Sequence, residues 1–122
     1  MTPPRIRQEE VGEVRVLLID NPQKRTALDF RALDELEAAC RAAAADRVRC
    51  LLLRGAGAEA FSSGFDLAEM GQVNGRGERP DEAVERAADA LGAVGCPTVA
   101  FLNGSAYGGG CELAATCDLR VA

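Results

Sequence analysis

Two segments of this sequence have the composition of loops that present backbone amides to a ligand. They are Phe61-Ser62-Ser63-Gly64-Phe65-Asp66-Leu67 and Asn103-Gly104-Ser105-Ala106-Tyr107-Gly108-Gly109-Gly110. Each follows an apolar, strand-like run and leads towards a helix-like one. Glycine at such a junction lets the backbone approach a ligand, and a helix start aims amide hydrogens at it. Two such loops side by side can point two amides at one oxygen, which is an oxyanion hole; losing one such donor typically costs ~3–4 kcal/mol of transition-state stabilisation. The plainer reading is that these glycines only make tight turns. Three consecutive glycines followed at once by Cys111-Glu112-Leu113 are harder to explain that way. Glu112 falls in the first turn of the following helix, where a carboxylate complements the dipole. A surface residue at a helix start and a working carboxylate are both open for it.

The rest of the inventory narrows the chemistry. The sequence has no histidine, which removes Ser-His-Asp and Cys-His mechanisms and argues against a zinc site. Acid–base work therefore falls to carboxylates, Lys24, Tyr107 or a cysteine. Residues 55–60 formally match the dinucleotide fingerprint GxGxxA, but Phe61 to Gly64 reads as further loop where a helix must begin. Gly104-Ser105 is no nucleophile elbow. Asp66 reads as a capping or structural carboxylate. Cys40, Cys50, Cys96, Cys111 and Cys117 form no CxxC pair, and their odd number implies free, buried thiols.

The elements that must position these loops alternate. Arg5 to Gln8 and Val14 to Asp20 are β-prone, with a hairpin turn over Glu9 to Glu13. Asn21 to Arg25 is a loop. Asp29 is the expected N-cap of a helix running to about Ala45, with Phe30, Leu33, Leu36, Cys40 and Ala43 on one buried face. Val48 to Leu53 is a buried strand, and Arg54 to Asp66 is loop. Leu67 to Met70 makes one helical turn, and Gly71 to Pro80 is the segment expected to be mobile. A second amphipathic helix covers Asp81 to Val94, its stripe Val84, Ala87, Ala88, Leu91 and Val94 reading as core packing without functional meaning. Thr98 to Leu102 is the next strand, Cys111 to Thr116 a helix, and Asp118 to Ala122 begins another strand. The order is that of an α/β chain.

At 122 residues and 12.8 kDa the chain is one domain's worth, or a piece of one. It stops inside an apolar strand, which leads to the expectation of truncation. The 14 basic residues face 19 acidic ones, and all the basic ones but Lys24 are arginine. They do not cluster, so no nucleic-acid surface is expected. No apolar run approaches a membrane span. Met1 to Arg5 lacks the apolar core of a secretory signal, so a cytoplasmic location is expected.

Taken together, the residues resemble the enoyl-CoA hydratase/isomerase (crotonase) family. The resemblance runs through Ile19-Asp20-Asn21-Pro22, Lys24-Arg25-Thr26-Ala27-Leu28, Leu53-Arg54-Gly55-Ala56-Gly57 and Phe61-Ser62-Ser63-Gly64-Phe65-Asp66-Leu67. It finishes with Asn103-Gly104, Gly108-Gly109-Gly110-Cys111-Glu112-Leu113-Ala114 and Cys117-Asp118-Leu119-Arg120-Val121-Ala122. Order and spacing make the match specific.

The resemblance implies a crotonase-like ββα superhelix, with residues 1–122 the N-terminal part of a single domain, and an acyl-CoA substrate whose thioester carbonyl is polarised. The family's two oxyanion-hole amides fall on Phe65 and Gly109. Ser63 matches the position whose backbone meets the adenine, and Ala27 and Leu28 lie in the segment lining the CoA. Lys24 or Arg25 would reach its phosphates, and Asp66, Leu67 and Ala68 complete the binding segment. Glu112 matches one of two glutamates that deliver water across the activated double bond; the second would lie beyond Ala122. No metal or separate cofactor is implied, since coenzyme A belongs to the substrate, and full-length members form homo-trimers or hexamers. Isomerase, thioester-hydrolase or decarboxylase chemistry reuses the same hole. A non-catalytic chain acting as an interaction subunit is the competing reading, and a dinucleotide binder comes third.

Overall fold

In the computed structural model, which describes residues 3–122, the chain opens as a hairpin. Strands β1 (Ile6–Val11) and β2 (Val14–Ile19) pair antiparallel with Val11 opposite Val14. The turn is thus Gly12-Glu13 alone, tighter than the expected Glu9 to Glu13. Glu9 and Glu10 extend β1 because this edge strand is exposed along nearly its whole length and accepts charge there. Met1 and Thr2, part of the stretch read as lacking a secretory signal, lie outside the described residues.

Helix α1 (Phe30–Ala45) starts where Asp29 predicts, the carboxylate accepting a 2.7 Å hydrogen bond from the Ala32 amide. Its expected apolar face is buried except for half-buried Phe30. The chain then runs through β3 (Cys50–Gly55), β4 (Ala60–Ser62), α2 (Pro80–Gly92), β5 (Thr98–Phe101), β6 (Ser105–Ala106), α3 (Gly109–Thr116) and β7 (Leu119–Val121). Pro80 opens α2, where a missing N–H costs nothing.

Two parallel stacks of strands result. One sheet has the order β1-β2-β3-β5-β7, parallel from β2 onward, and a second pairs β4 with β6. Helices α1, α2 and α3 pack in a row beside them. Each turn of the chain is therefore a long strand, a short strand and a helix: β3-β4-α2, then β5-β6-α3. The core lies where Leu17, Ile19, Leu51, Leu53 and Ala100 of the sheet meet Leu33, Leu36, Cys40 and Leu91 of the helices, with Phe61 sealed among them.

Several expectations change here. The loops expected over Arg54 to Asp66 and Asn103 to Gly110 contain β4 and β6, and α3 starts at Gly109. Strand β3 alternates, with Leu51 and Leu53 buried and Leu52 and Arg54 half-buried, because one face of the sheet carries the Arg54 guanidinium 5.0 Å over the Phe101 ring. Strand β7 is exposed throughout, since β5 is its one neighbour in the sheet. Free thiols are found, but Cys111 is exposed and Cys50 and Cys96 are half-buried. The segment 71–80, expected to be mobile, carries hydrogen bonds of its own. Asn74 Oδ1 accepts from the Arg76 and Glu78 amides at 2.9 Å, and Glu78 pairs with Arg86, which also holds Asp34 and Glu37.

Candidate functional site

Strands β4 and β6 determine where the two loops emerge. They run parallel, with Ala60 paired to Ser105 and Ser62 to Ala106, so both chains leave the pair at the same edge. The Tyr107 amide donates to the Ser62 carbonyl at 3.0 Å and carries the pairing one residue further. Gly64 then sits against the Tyr107–Gly108 backbone. A Cβ on Gly64 would lie 3.1 Å from the Tyr107 carbonyl oxygen, and its φ of +97 strains any other residue. Phe65 and Gly109, the residues next in line, come to line one cleft together.

The amides of these two residues are uncommitted, for different reasons. Leu28 bridges the Phe65 segment: its amide donates to the Gly64 carbonyl at 2.8 Å, and its carbonyl accepts from the Asp66 amide at 2.6 Å. In extended backbone successive amides alternate in direction, so the Phe65 N–H points away from Leu28. Among the described residues it has no acceptor. Gly109 is the first residue of α3, where amides lack intrahelical partners. The Gly110 amide donates to the Tyr107 carbonyl at 2.9 Å and that of Glu112 to Gly108 at 3.0 Å. The middle glycine alone of the three keeps both a helix-start position and a free N–H.

The cleft at these amides has a volume of about 220 Å³ and is bounded by Phe65, Met70, Pro80, Val84, Gly109 and Glu112. Its walls are mostly apolar, and Glu112, exposed on the first turn of α3, brings the carboxylate. Asp81 reaches the rim, paired to Arg79 at 3.2 Å. Val84, whose place in the helix stripe reads as core packing, serves the core and the cleft at once. The Phe65 ring packs edge-on against Phe30 with centroids 5.0 Å apart, which fixes the loop from behind.

On the other side of Phe65 lies a second recess, about 360 Å³, formed by Lys24, Ala27, Ser63, Phe65, Asp66 and Leu67. Six residues expected to meet one ligand thus line one depression. Asp66 caps a 3-10 turn (Leu67–Glu69) by accepting from the Ala68 amide at 2.9 Å, and also takes the Lys24 ammonium at 3.0 Å. Those two bonds, the backbone one first, hold its carboxyl below the usual range. The capping role read from the sequence is what its contacts show. The Ser63 amide donates to the Arg25 carbonyl at 3.1 Å, leaving the Ser63 carbonyl as the free backbone group there.

Three expected residues sit apart. Leu28 is wholly buried and acts through its backbone. Ala68 is exposed beside the recess. Arg25 lines a different depression with Thr26 and residues 56–60. Arg25 and Thr26 both have left-handed backbone, φ 55 and 56, costing on the order of 1–3 kcal/mol each. Bonds from the Ser63 amide to the Arg25 carbonyl and from the Thr26 hydroxyl to the Ala60 carbonyl, each 3.1 Å, hold the turn. Composition gave no sign of that strain. Among the described residues, no helix is long and apolar enough to cross a membrane.

Known proteins share this architecture. A family model described as enoyl-CoA hydratase/isomerase matches residues 9–122. The short-chain-enoyl-CoA hydratase of Clostridium acetobutylicum is 34% identical over 116 residues, covering 93% of this chain and 44% of its own length. The crotonyl-CoA hydratase of Syntrophomonas wolfei is also 34% identical over 116 residues, covering 93% and 45%. Among solved structures, an enoyl-CoA hydratase/isomerase from Xanthobacter autotrophicus Py2 superposes with a TM-score of 0.85 at 35% identity, covering 98% of this chain and 46% of that one. An enoyl-CoA hydratase/carnithine racemase from Magnetospirillum magneticum gives 0.87 at 30% identity, with 98% and 46% covered. The chain spans a little under half the length of these relatives.

Proposed function

The chain belongs to the enoyl-CoA hydratase/isomerase family and has the mixed α/β crotonase fold, and on that premise we propose that it binds an acyl-CoA thioester and polarises its carbonyl between the Phe65 and Gly109 amides. The observation that carries the reading is the pair of free amides at one cleft, with a recess on either side of Phe65. The recess at Lys24 and Ser63 takes the coenzyme A portion, the Lys24 ammonium facing phosphate and the Ser63 carbonyl accepting from the adenine amino group. The apolar cleft takes the acyl tail.

With the carbonyl oxygen held by two amides, negative charge developing on it is stabilised without reorganisation, and the β-carbon of a trans-2-enoyl thioester becomes electrophilic. Glu112, on the wall of the same cleft, accepts a proton from the water that attacks that carbon. A proton given to the α-carbon of the resulting enolate by a second carboxylic acid, the role the family resemblance gives to the glutamate that partners Glu112, completes the addition of water, and the product is a 3-hydroxyacyl-CoA. Hydration of trans-2-enoyl-CoA, compared between the protein and its Glu112→Gln variant, tests this. Loss of at least about a hundredfold in turnover is expected, and equal rates would remove Glu112 from the reaction.

One observation favours a second reading. Strand β7 is exposed throughout, with Leu119 and Val121 open to solvent, and an uncovered apolar edge strand invites pairing. In that reading the chain is a non-catalytic interaction subunit. Sedimentation of a compact monomer would count against it.

A further inference from the structure

The wall of the acyl cleft beside Gly109 is made by one side chain with no room to yield. A Cβ built on Gly109 would meet Val84 Cγ2 at 3.1 Å and Cγ1 at 3.5 Å, with Leu28 Cδ1 at 3.6 Å beside it. Val84 is itself 3% exposed, fixed in the stripe that α2 buries against its neighbours. It is β-branched, with one strongly preferred rotamer in a helix. Met70, by contrast, stands at the rim of the same cleft, 47% exposed and unbranched, and adapts to what it meets. The cleft is therefore rigid next to the amides and compliant at its mouth.

From this geometry we infer that Val84 is a specificity-determining residue, which admits acyl groups unbranched next to the thioester carbonyl and rejects those with a methyl group at that carbon. The inference rests on the reading that the Phe65 and Gly109 amides hold an acyl-CoA carbonyl. With the oxygen held there, the adjacent carbon is the acyl atom nearest Gly109 and so nearest Val84. A branch at that carbon presses on a side chain that can move neither into the Gly109 backbone nor out of the buried stripe. A branch further along the tail meets Met70, which gives way. Packed cores resist an added methyl group in the same manner.

Calorimetric titration of the chain with butanoyl-CoA and 2-methylbutanoyl-CoA separates the possibilities. The wild type is expected to prefer butanoyl-CoA by about tenfold or more, the discrimination that one methyl group commonly provides. Val84→Ala should lower that ratio about fivefold or more, and Val84→Ile should raise it. Damage to folding alone would weaken both ligands equally, and the two substitutions would not move the ratio in opposite directions. A ratio unchanged in the Ile variant, or in a cooperatively folded Ala variant, overturns the inference while leaving acyl-CoA binding intact. If the wild type binds neither thioester, the acyl-CoA reading fails and this inference fails with it.

Discussion

Gly110 lies directly against Ser62: a Cβ on the glycine would come 2.6 Å from the serine Cβ and 3.0 Å from its hydroxyl and carbonyl oxygens. Ser62 ends β4 and Gly110 belongs to the first turn of α3, so this contact draws the helix start onto the strand from which the other loop departs. The separation of the two free amides depends on it. The Ser62 hydroxyl also accepts from the Gly64 amide at 3.1 Å, which ties the same serine to the Phe65 loop. One buried residue thus serves both loops.

Gly110→Ala should therefore be damaging. The added methyl has no void to enter, and overpacking of this kind costs ~1–3 kcal/mol. Urea unfolding would register that loss as a lower midpoint with an unchanged slope. A midpoint equal to the wild type would mean that α3 can move off β4 freely.

Phe65 is expected to tolerate the loss of its ring better than its position suggests. Phe65→Ala keeps the backbone N–H while removing the edge-on contact with Phe30. Beyond the buried area lost, that contact is worth ~0.5–1.5 kcal/mol. Denaturation should report the loss, while acyl-CoA affinity should stay within about tenfold. A larger fall in affinity would assign the ring a direct part in binding.

The five strands of the larger sheet and the two long helices were legible because their signals are local. Asp29 has the right residue type just ahead of a helix-period stripe, and its carboxylate caps as expected. Strands β4 and β6 were not legible. They are three and two residues long and lie inside Gly- and Ser-rich stretches, too short for any period to show. Yet they are the elements that align the loops, and Phe61, an apolar residue within a polar run, was the one available hint. The free amides at Phe65 and Gly109 were located through family resemblance, whereas their freedom follows from the Leu28 bridge and the helix start. The double role of Val84 could not be read from a stripe, because periodicity gives the buried face of a helix and not what stands opposite it.

Acid should release part of the grip on the Lys24 recess. The Asp66 carboxyl is held below its ordinary range of about 3.9 by the Ala68 amide and the Lys24 ammonium. A lowered folded-state value means that the stability it contributes is present above the unfolded value and is lost as pH falls through the folded one. Asp66→Asn should therefore be less stable than wild type near neutral pH, and the gap should close below about pH 4. Thermal melts across that range check the sign. A gap that widens in acid would contradict the assignment.

The thiols should divide by burial. Desolvation pushes the Cys40 thiol up to about 12, and burial likewise raises Cys117, whereas Cys111 is exposed on α3. Since the thiolate is the reactive form, a disulfide reagent at mildly alkaline pH should label Cys111 first and leave Cys40 and Cys117 unmodified until the chain unfolds. Peptide mapping after brief exposure identifies the order. Early labelling of Cys40 would show that α1 opens readily.

The central claim is that two backbone amides polarise a thioester carbonyl. Difference infrared spectroscopy of an acyl-CoA carrying a ¹³C-labelled carbonyl reads that directly, because hydrogen bonds to the oxygen weaken the C=O bond. The carbonyl stretch should move to lower frequency when the thioester binds this protein. A thioester that binds with its carbonyl stretch unshifted from water would contradict it, and the free amides at Phe65 and Gly109 would then need another purpose.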